Sequence, residues 1–184
     1  YILGLGSPRH PLPAESYDTY CSTYQWREIY GREVLYCGPL FTHQLSHLWI
    51  DFRGIRDKFM REHNSDYFEN TRQATYVHQA YAIENPRGFA GYGEHCWGIT
   101  ATDGPGWTKR KTSGIEREFY DYIARGAPDG PDDGTIAPWV VLASLPFAPE
   151  IVVPSINHMA HLHVGVSSRY GFKPSFNQTF EVQD

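Results

Sequence analysis

The strongest constraint on the fold is a series of apolar residues that recurs every three or four positions between residues 41 and 59. Spacing of this kind places the apolar side chains on one face of an α-helix. Thr42 is a suitable N-cap for that helix, and Asn64 stands where the helix should stop. We therefore predict one helix through this stretch, buried along its apolar face.

A second helix is predicted directly after the first. Asp66 can cap its N-terminus, with Glu69 three residues later as in a capping box, and Asn85-Pro86 ends it. Two helices joined by a short turn form an antiparallel hairpin. The sequence therefore predicts a chain built from helical hairpins.

The remaining segments are less regular. Residues 1–40 are rich in turn residues, and residues 86–136 are predicted to be mostly irregular, with a short strand or helical turn at "EREFYDYIAR". Pro138 suits the first turn of another helix that ends at Pro146, and a further helix starts near Pro149. No series of alternating strands is present, so the predicted class is mainly α.

Composition excludes several functions. The 184 residues suffice for one domain with a core, and the formal net charge of −5 argues against binding to a phosphate backbone. No apolar stretch approaches the roughly 20 residues of a membrane-spanning helix. The three cysteines match neither a disulfide framework nor a zinc spacing, so we expect small buried side chains.

Glycines and aromatic residues concentrate around two carboxylates in residues 88–107, "GFAGYGEHCWGITATDGPGW". Glu94 lies beside Tyr92 and Trp97, which would desolvate it and raise its pKa towards the range of a general acid. Asp103 is either its catalytic partner or the capping residue of an Asp-Gly-Pro turn. This pattern is compatible with glycoside hydrolysis by two carboxyl groups.

Three polar residues follow one another at intervals of four: His43, His47 and Asp51. On a helix they share a face, which leaves three interpretations open. The histidines hold a metal ion, they are hydrogen-bonded at a helix interface, or they line a pocket. A second acidic segment, "PDGPDDG" at residues 128–134, is predicted to be a solvated turn, since it lacks the spacing of an EF-hand calcium loop.

Several long blocks resemble the glycoamylase-like proteins, which include bacterial endo-β-1,2-glucanases and a domain of cyclic β-1,2-glucan synthases. The blocks are "LGLGSPRHPLPAESYDTY", "PLFTHQLSHLWIDFRGIRDKFM", "DYFENTRQATYVHQAYAIENP", "GYGEHCWGITATDGP" and "DDGTIAP" followed by "SLPFAPEIVVPSI". The resemblance implies an (α/α)6 toroid with long functional loops, a pocket for β-1,2-glucan and a periplasmic or secreted location.

The chain also departs from that family. Six helical hairpins need roughly twice this length, so residues 1–184 are expected to form the C-terminal portion of a single catalytic domain that lacks its N-terminal half. An acidic residue in a "YNEA"-like helix, a candidate general acid, would precede residue 1. Pro174, in "YGFKPSFN", stands where the family often has Asp.

We therefore predict a glycoside hydrolase or transglycosylase that acts on β-1,2-linked glucan without a cofactor. Glu94 and Asp103 are the candidate catalytic residues. The candidate substrate-binding residues are His43, His47, Trp49, Asp51, Arg53, Tyr92 and Trp97. The alternatives are a non-catalytic glucan-binding domain and a metal-dependent hydrolase that uses His43 and His47. No nucleic-acid partner and no membrane insertion are expected.

Overall fold

The computed structural model describes residues 2–162 and 165–182. Eight α-helices lie in these ranges: α1 Ile2–Leu5, α2 Glu15–Cys21, α3 Phe41–Gln44, α4 Lys58–Glu62, α5 Tyr67–Glu84, α6 Pro138–Ala143, α7 Pro149–Ala160 and α8 Gln178–Glu181. Eight short strands accompany them: β1 Trp26–Ile29, β2 Arg32–Leu35, β3 Ala101–Thr102, β4 Thr108–Thr112, β5 Ile115–Phe119, β6 Ile123–Ala124, β7 Ser167–Ser168 and β8 Gly171–Phe172.

The strands form only two-stranded antiparallel sheets within the described ranges: β1–β2, β3–β6, β4–β5 and β7–β8. Helices supply more of the chain than strands do, as the sequence predicts, and the longest of them is α5, with 18 residues. The segment "EREFYDYIAR", for which we predicted a short strand or a helical turn, forms most of β5 and all of β6. The hairpin β1–β2 lies in a region that we expected to be irregular.

Helix α5 follows its sequence signals closely. The side chain of Asp66 accepts a hydrogen bond from the Glu69 backbone N–H, which satisfies one of the free donors at the helix start. Asn85 ends the helix in the left-handed conformation, at φ 45°. The predicted limits of this helix are confirmed.

The first predicted helix is wrong as a single element. The chain forms α3, then a 3-10 helix at Leu45–Leu48, an irregular stretch, and finally α4. Asp57, rather than Thr42, is a cap here, because its carboxylate accepts a hydrogen bond from the Met60 N–H. Much of the apolar stripe is solvent-exposed, with Trp49 at 87%. A helix gains most of its stability by packing an apolar face, and this stretch buries no continuous one.

The main core lies between α5, α6, α7 and the glycine-rich loop. Trp97 is fully buried there, and its indole N–H donates to Ser155 Oγ at 2.8 Å. Pro138 and Pro149 begin α6 and α7, as predicted. Cys21 and Cys96 are buried free thiols, as expected, whereas Cys37 is a free thiol that is only partly buried.

Candidate functional site

A hollow of about 200 Å³ opens where the loop after β3 meets the segment that leads into α8. Its wall combines uncharged polar side chains, two phenyl rings and one carboxylate. The lining residues are Gly104, Pro105, Thr135, Ser175, Phe176, Asn177, Phe180 and Glu181. A wall of this kind can hydrogen-bond hydroxyl groups and pack against an apolar ring face, as the binding of a sugar requires.

A buried ion pair supports this wall. The Arg125 guanidinium donates to both carboxylate oxygens of Asp133, at 2.7 and 2.8 Å, and both side chains are completely buried. Burial acts to raise the pKa of Asp133, but the hydrogen bonds and the charge of Arg125, together with hydrogen bonds from Thr135 and Tyr120, hold this pKa below its usual range. The backbone oxygen of Asp133 accepts from Asn177 Nδ2, which also donates to Thr135 Oγ1. The pair thus fixes two lining residues.

The same guanidinium positions the loop on the other side of the hollow. It donates to the backbone oxygens of Thr102, Tyr120 and Asp121. Gly104 passes so close that a Cβ there would lie 2.1 Å from Arg125 Nη2. Only glycine allows this approach.

Asp132 forms a second buried polar centre beside the first. Its carboxylate accepts hydrogen bonds from the hydroxyls of Tyr81 and Tyr92, at 2.9 and 2.7 Å, and from the Gly134 N–H. Burial raises the pKa of Asp132. The prediction of a solvated turn at residues 128–134 is wrong for Asp132 and Asp133, which are 5% and 1% exposed. The tyrosine partners of Asp132 come from 51 and 40 residues earlier in the chain, and Arg125 comes from eight residues before Asp133, so neither set is evident from the composition of residues 128–134.

Asp103 immediately precedes the lining residues. Its backbone oxygen accepts a hydrogen bond from Ser175 Oγ at 2.6 Å, and its side chain is exposed. One residue earlier, Thr102 Oγ1 donates to the backbone oxygen of Pro174. Pro174 therefore borders this hollow.

Glu94 lies elsewhere, in a turn closed by paired backbone hydrogen bonds between Gly93 and Cys96. Its backbone oxygen accepts from Gln79 on α5, and its side chain is exposed. The burial that we expected around Glu94 is absent, because Trp97 packs into the core and the Tyr92 hydroxyl is bound to Asp132. Trp97 has no exposed ring face for a sugar, so its predicted stacking role is not supported.

The two histidines pack against α5. The backbone oxygen of Cys37 accepts a hydrogen bond from His43 Nε2, and Asn70 Nδ2 lies 3.3 Å from His43 Nδ1. The Thr71 hydroxyl lies 3.0 Å from His47 Nε2. Burial lowers the pKa of His43 to about 4. These contacts agree with the interpretation of hydrogen-bonded interface histidines, and none of the described residues form a cluster of three or more metal-binding side chains.

Asp51 and Arg53 form an exposed ion pair. Arg53 Nη2 lies 2.6 Å from Asp51 Oδ2, and the two side chains are 60% and 68% exposed for Asp51 and Arg53 respectively. Hydrogen bonds from Arg53 lower the pKa of Asp51 to about 2. Trp49 lies in the same irregular stretch.

The candidate residues His43, Asp51 and Glu94 would have to meet in one hollow to act on the same sugar, and these contacts do not bring them together. The hollow at Gly104 is lined by none of the three. A water-sized hollow of about 10 Å³ includes His43 in a mostly apolar wall, without Asp51 or Glu94.

Sequence reasoning missed two residues near the larger hollow. Glu181 brings a carboxylate to its wall, and Trp107 is 69% exposed two residues after Pro105. Trp107 belongs to the glycine-rich stretch, where Trp97 drew the prediction instead. The signal available in the sequence was the polarity of the residues that follow each tryptophan. Trp107 is followed by the polar, mostly exposed strand that starts at Thr108, whereas Trp97 is followed by Gly98 and then by buried residues. In the described part of the chain, no helix has the length and apolarity to cross a membrane.

Comparisons with known proteins identify the family to which this chain belongs. All 184 residues match the family profile Glycoamylase, described as "Putative glucoamylase". An exo-β-1,2-glucooligosaccharide sophorohydrolase (non-reducing end) from Parabacteroides distasonis is 34% identical over 143 residues, which are 77% of this chain and 17% of that protein.

Two solved structures are also similar. An endo-β-1,2-glucanase from Chitinophaga pinensis, in complex with sophorotriose and glucose, superposes with a TM-score of 0.80 at 27% identity, over 99% of this chain and 42% of that one. A β-1,2-glucanase from Parabacteroides distasonis gives 0.76 at 27% identity, over 97% and 27%. The chain spans less than half the length of each of these relatives. The match along its whole length shows that the chain belongs to the glycoamylase family.

Proposed function

We propose that this chain forms part of a glycoside hydrolase that acts on β-1,2-linked glucan. The observation that carries the proposal is the hollow beside Asp103, whose wall combines polar side chains, two phenyl rings and the Glu181 carboxylate, in a chain whose relatives are β-1,2-glucan hydrolases. We further propose that the chain contributes the C-terminal portion of an (α/α)6 toroid, and that the protein works in the periplasm or outside the cell. The similarity to longer glucanases and the family resemblance support these two points.

Asp103 is the candidate catalytic carboxylate with the best position in this proposal. It immediately precedes the lining residues, and its exposed side chain takes no part in the buried ion pair of Arg125 and Asp133. Glu181 is the second carboxylate at the hollow. In glycoside hydrolysis one carboxylic acid protonates the leaving oxygen, while a second carboxylate activates water or attacks the sugar. Because Glu94 does not line the hollow, it remains a candidate only if it reaches the substrate from outside the hollow.

The test is hydrolysis by the full-length protein of linear β-1,2-glucan, with β-1,3-glucan, β-1,4-glucan and an α-1,4-glucan as comparisons. We expect turnover of the β-1,2-linked polymer, and a loss of at least about 100-fold in kcat for Asp103→Asn. Glu94→Gln and Glu181→Gln separate the remaining candidates. No turnover of β-1,2-glucan by the unaltered protein, together with cleavage of another glucan, would refute the proposal.

One observation favours the binding-only alternative. Pro174 borders the hollow through its contact with Thr102, and the position carries no carboxylate. If the catalytic set is incomplete for this reason, the full-length protein binds β-1,2-glucan without cleaving it, and Pro174→Asp increases turnover. Wild-type turnover that Pro174→Asp does not increase would reject this alternative.

A further inference from the structure

Trp107 is an exposed aromatic side chain that the contacts described so far leave without a role. It is 69% exposed. Large exposed aromatic side chains next to a polar hollow are typical of binding surfaces. The backbone conformation that presents Trp107 is also specific, because the preceding Gly106 has φ +105°.

Trp107 is held in place from one side. Its ring lies 5.4 Å from the Tyr120 ring in an edge-to-face arrangement at 67°. Tyr120 is itself fixed, since its N–H donates to Asp133 Oδ2 and its backbone oxygen accepts from Arg125 and from the Gly106 N–H. The ring that supports the indole therefore belongs to a residue whose backbone is hydrogen-bonded to the same buried ion pair that supports the hollow.

The size of the hollow indicates how much of an oligosaccharide it can enclose. About 200 Å³ is less than the roughly 300–1,000 Å³ of pockets that enclose drug-sized ligands. An oligosaccharide in the hollow would therefore leave sugar units on the rim. Pro105, a lining residue, is two positions from Trp107. A flat apolar face at this place matches the face of a glucose ring.

We propose that Trp107, supported by Tyr120, forms a stacking subsite for a glucose unit of a β-glucan oligosaccharide that extends out of the hollow. This proposal rests on the proposed function in its substrate class. It assigns Trp107 to binding of longer chains, and it gives the residue no part in the bond cleavage.

The test is binding of a ladder of β-1,2-linked gluco-oligosaccharides, from two to five units, by the full-length protein carrying Asp103→Asn to stop turnover. We expect Trp107→Ala to weaken binding of the longest oligosaccharides about three- to tenfold, with little change for the disaccharide. Trp107→Tyr should restore most of the loss, because it keeps a ring for stacking. Equal affinities of the parent and Trp107→Ala for every length would overturn the proposal.

Tyr20→Ala is the matched control. Tyr20 also makes an edge-to-face pair, with Tyr24 at 5.1 Å and 67°, but it lies on α2 and lines neither hollow. We expect no change in affinity for this variant, and an equal loss in both variants would contradict a specific subsite. If the unaltered protein prefers a differently linked glucan, the ladder is made with that linkage. Failure of the β-1,2 assignment is thereby separated from failure of the subsite.

Discussion

Two Arg-Asp pairs in this chain have similar contacts and opposite surroundings. In both pairs the guanidinium donates to both carboxylate oxygens, at 2.6–3.1 Å. Arg125–Asp133 is completely buried, whereas the side chains of Arg53 and Asp51 are 68% and 60% exposed. An exposed pair gains little because water screens its charges. A buried pair leaves an uncompensated charge when one partner is removed. The environment, rather than the contact, determines what each pair does.

The largest expected effect comes from breaking the buried pair. Asp133→Asn leaves the Arg125 charge buried without its counterion, so we expect a loss of about 3–5 kcal/mol in the free energy of unfolding. Urea denaturation of the full-length protein measures this loss. A double variant, Arg125→Met with Asp133→Leu, removes both charges and should lose less. If Asp133→Asn unfolds at the same urea concentration as the wild type, the pair does not support the fold.

The pH dependence of stability distinguishes the contribution of the Arg125–Asp133 pair from that of the buried histidines. Burial lowers the pKa of His43 to about 4 and that of His78 to about 3. Because the unfolded state binds protons near pH 6.5, stability is complete above that pH and falls as the pH decreases towards these values. Between pH 6.5 and 5 we expect a loss of about 2 kcal/mol for each histidine.

Asp133 has a lowered pKa, so its contribution persists until the pH falls below the usual range for Asp. Urea unfolding at pH 7, 6 and 5 tests the histidine contribution, with His78→Gln as the variant that should show a smaller pH dependence. A stability that does not change across this interval would contradict the assignment.

A smaller effect is expected for the hydrogen bonds that tyrosine hydroxyls donate to Asp132. Tyr92→Phe removes one hydroxyl from the buried carboxylate, which costs about 1–3 kcal/mol. Tyr122→Phe, at an exposed position, is the control and should be neutral. Thermal unfolding of the two variants checks the difference. Equal midpoints would show that the Tyr92 hydroxyl does not stabilise the loop.

The smallest effect is expected at the exposed pair. Asp51→Asn should leave the midpoint of urea unfolding unchanged, because both side chains of the pair are mostly exposed to water, which screens their charges. A clear loss of stability would show that exposure does not distinguish the two pairs. Binding of β-1,2-glucan by the same variant tests the predicted role of Asp51 in holding sugar hydroxyls.

The parts of the fold that the sequence predicted depend on local signals. Asp66, Glu69 and Asn85 define the ends of α5 through contacts within one or two turns, so the sequence was sufficient there. The spacing of the apolar residues between positions 41 and 59 was misleading, because side chains such as Leu48 and Trp49 are exposed. Periodicity indicates a helix only when a neighbouring element covers the apolar face.

The candidate site was harder to predict for a related reason. The carboxylate of Asp132 is bound by tyrosines on α5 and the glycine-rich loop, which become its neighbours only after folding. The carboxylate of Asp133 is bound by Arg125, eight residues earlier in the segment between β6 and α6. Within residues 88–107, the choice between Trp97 and Trp107 depends on which ring the core covers. Local composition identified the loop that borders the hollow, but it did not reveal which of the two tryptophans is exposed.

The most direct test of the account is a crystal structure of the full-length protein carrying Asp103→Asn, with a β-1,2-linked glucotetraose bound. The account predicts one glucose unit in the hollow between Gly104 and Asn177, and a following unit against the face of Trp107. A tetrasaccharide bound at Glu94 or Asp51, with the hollow at Gly104 empty, would contradict it.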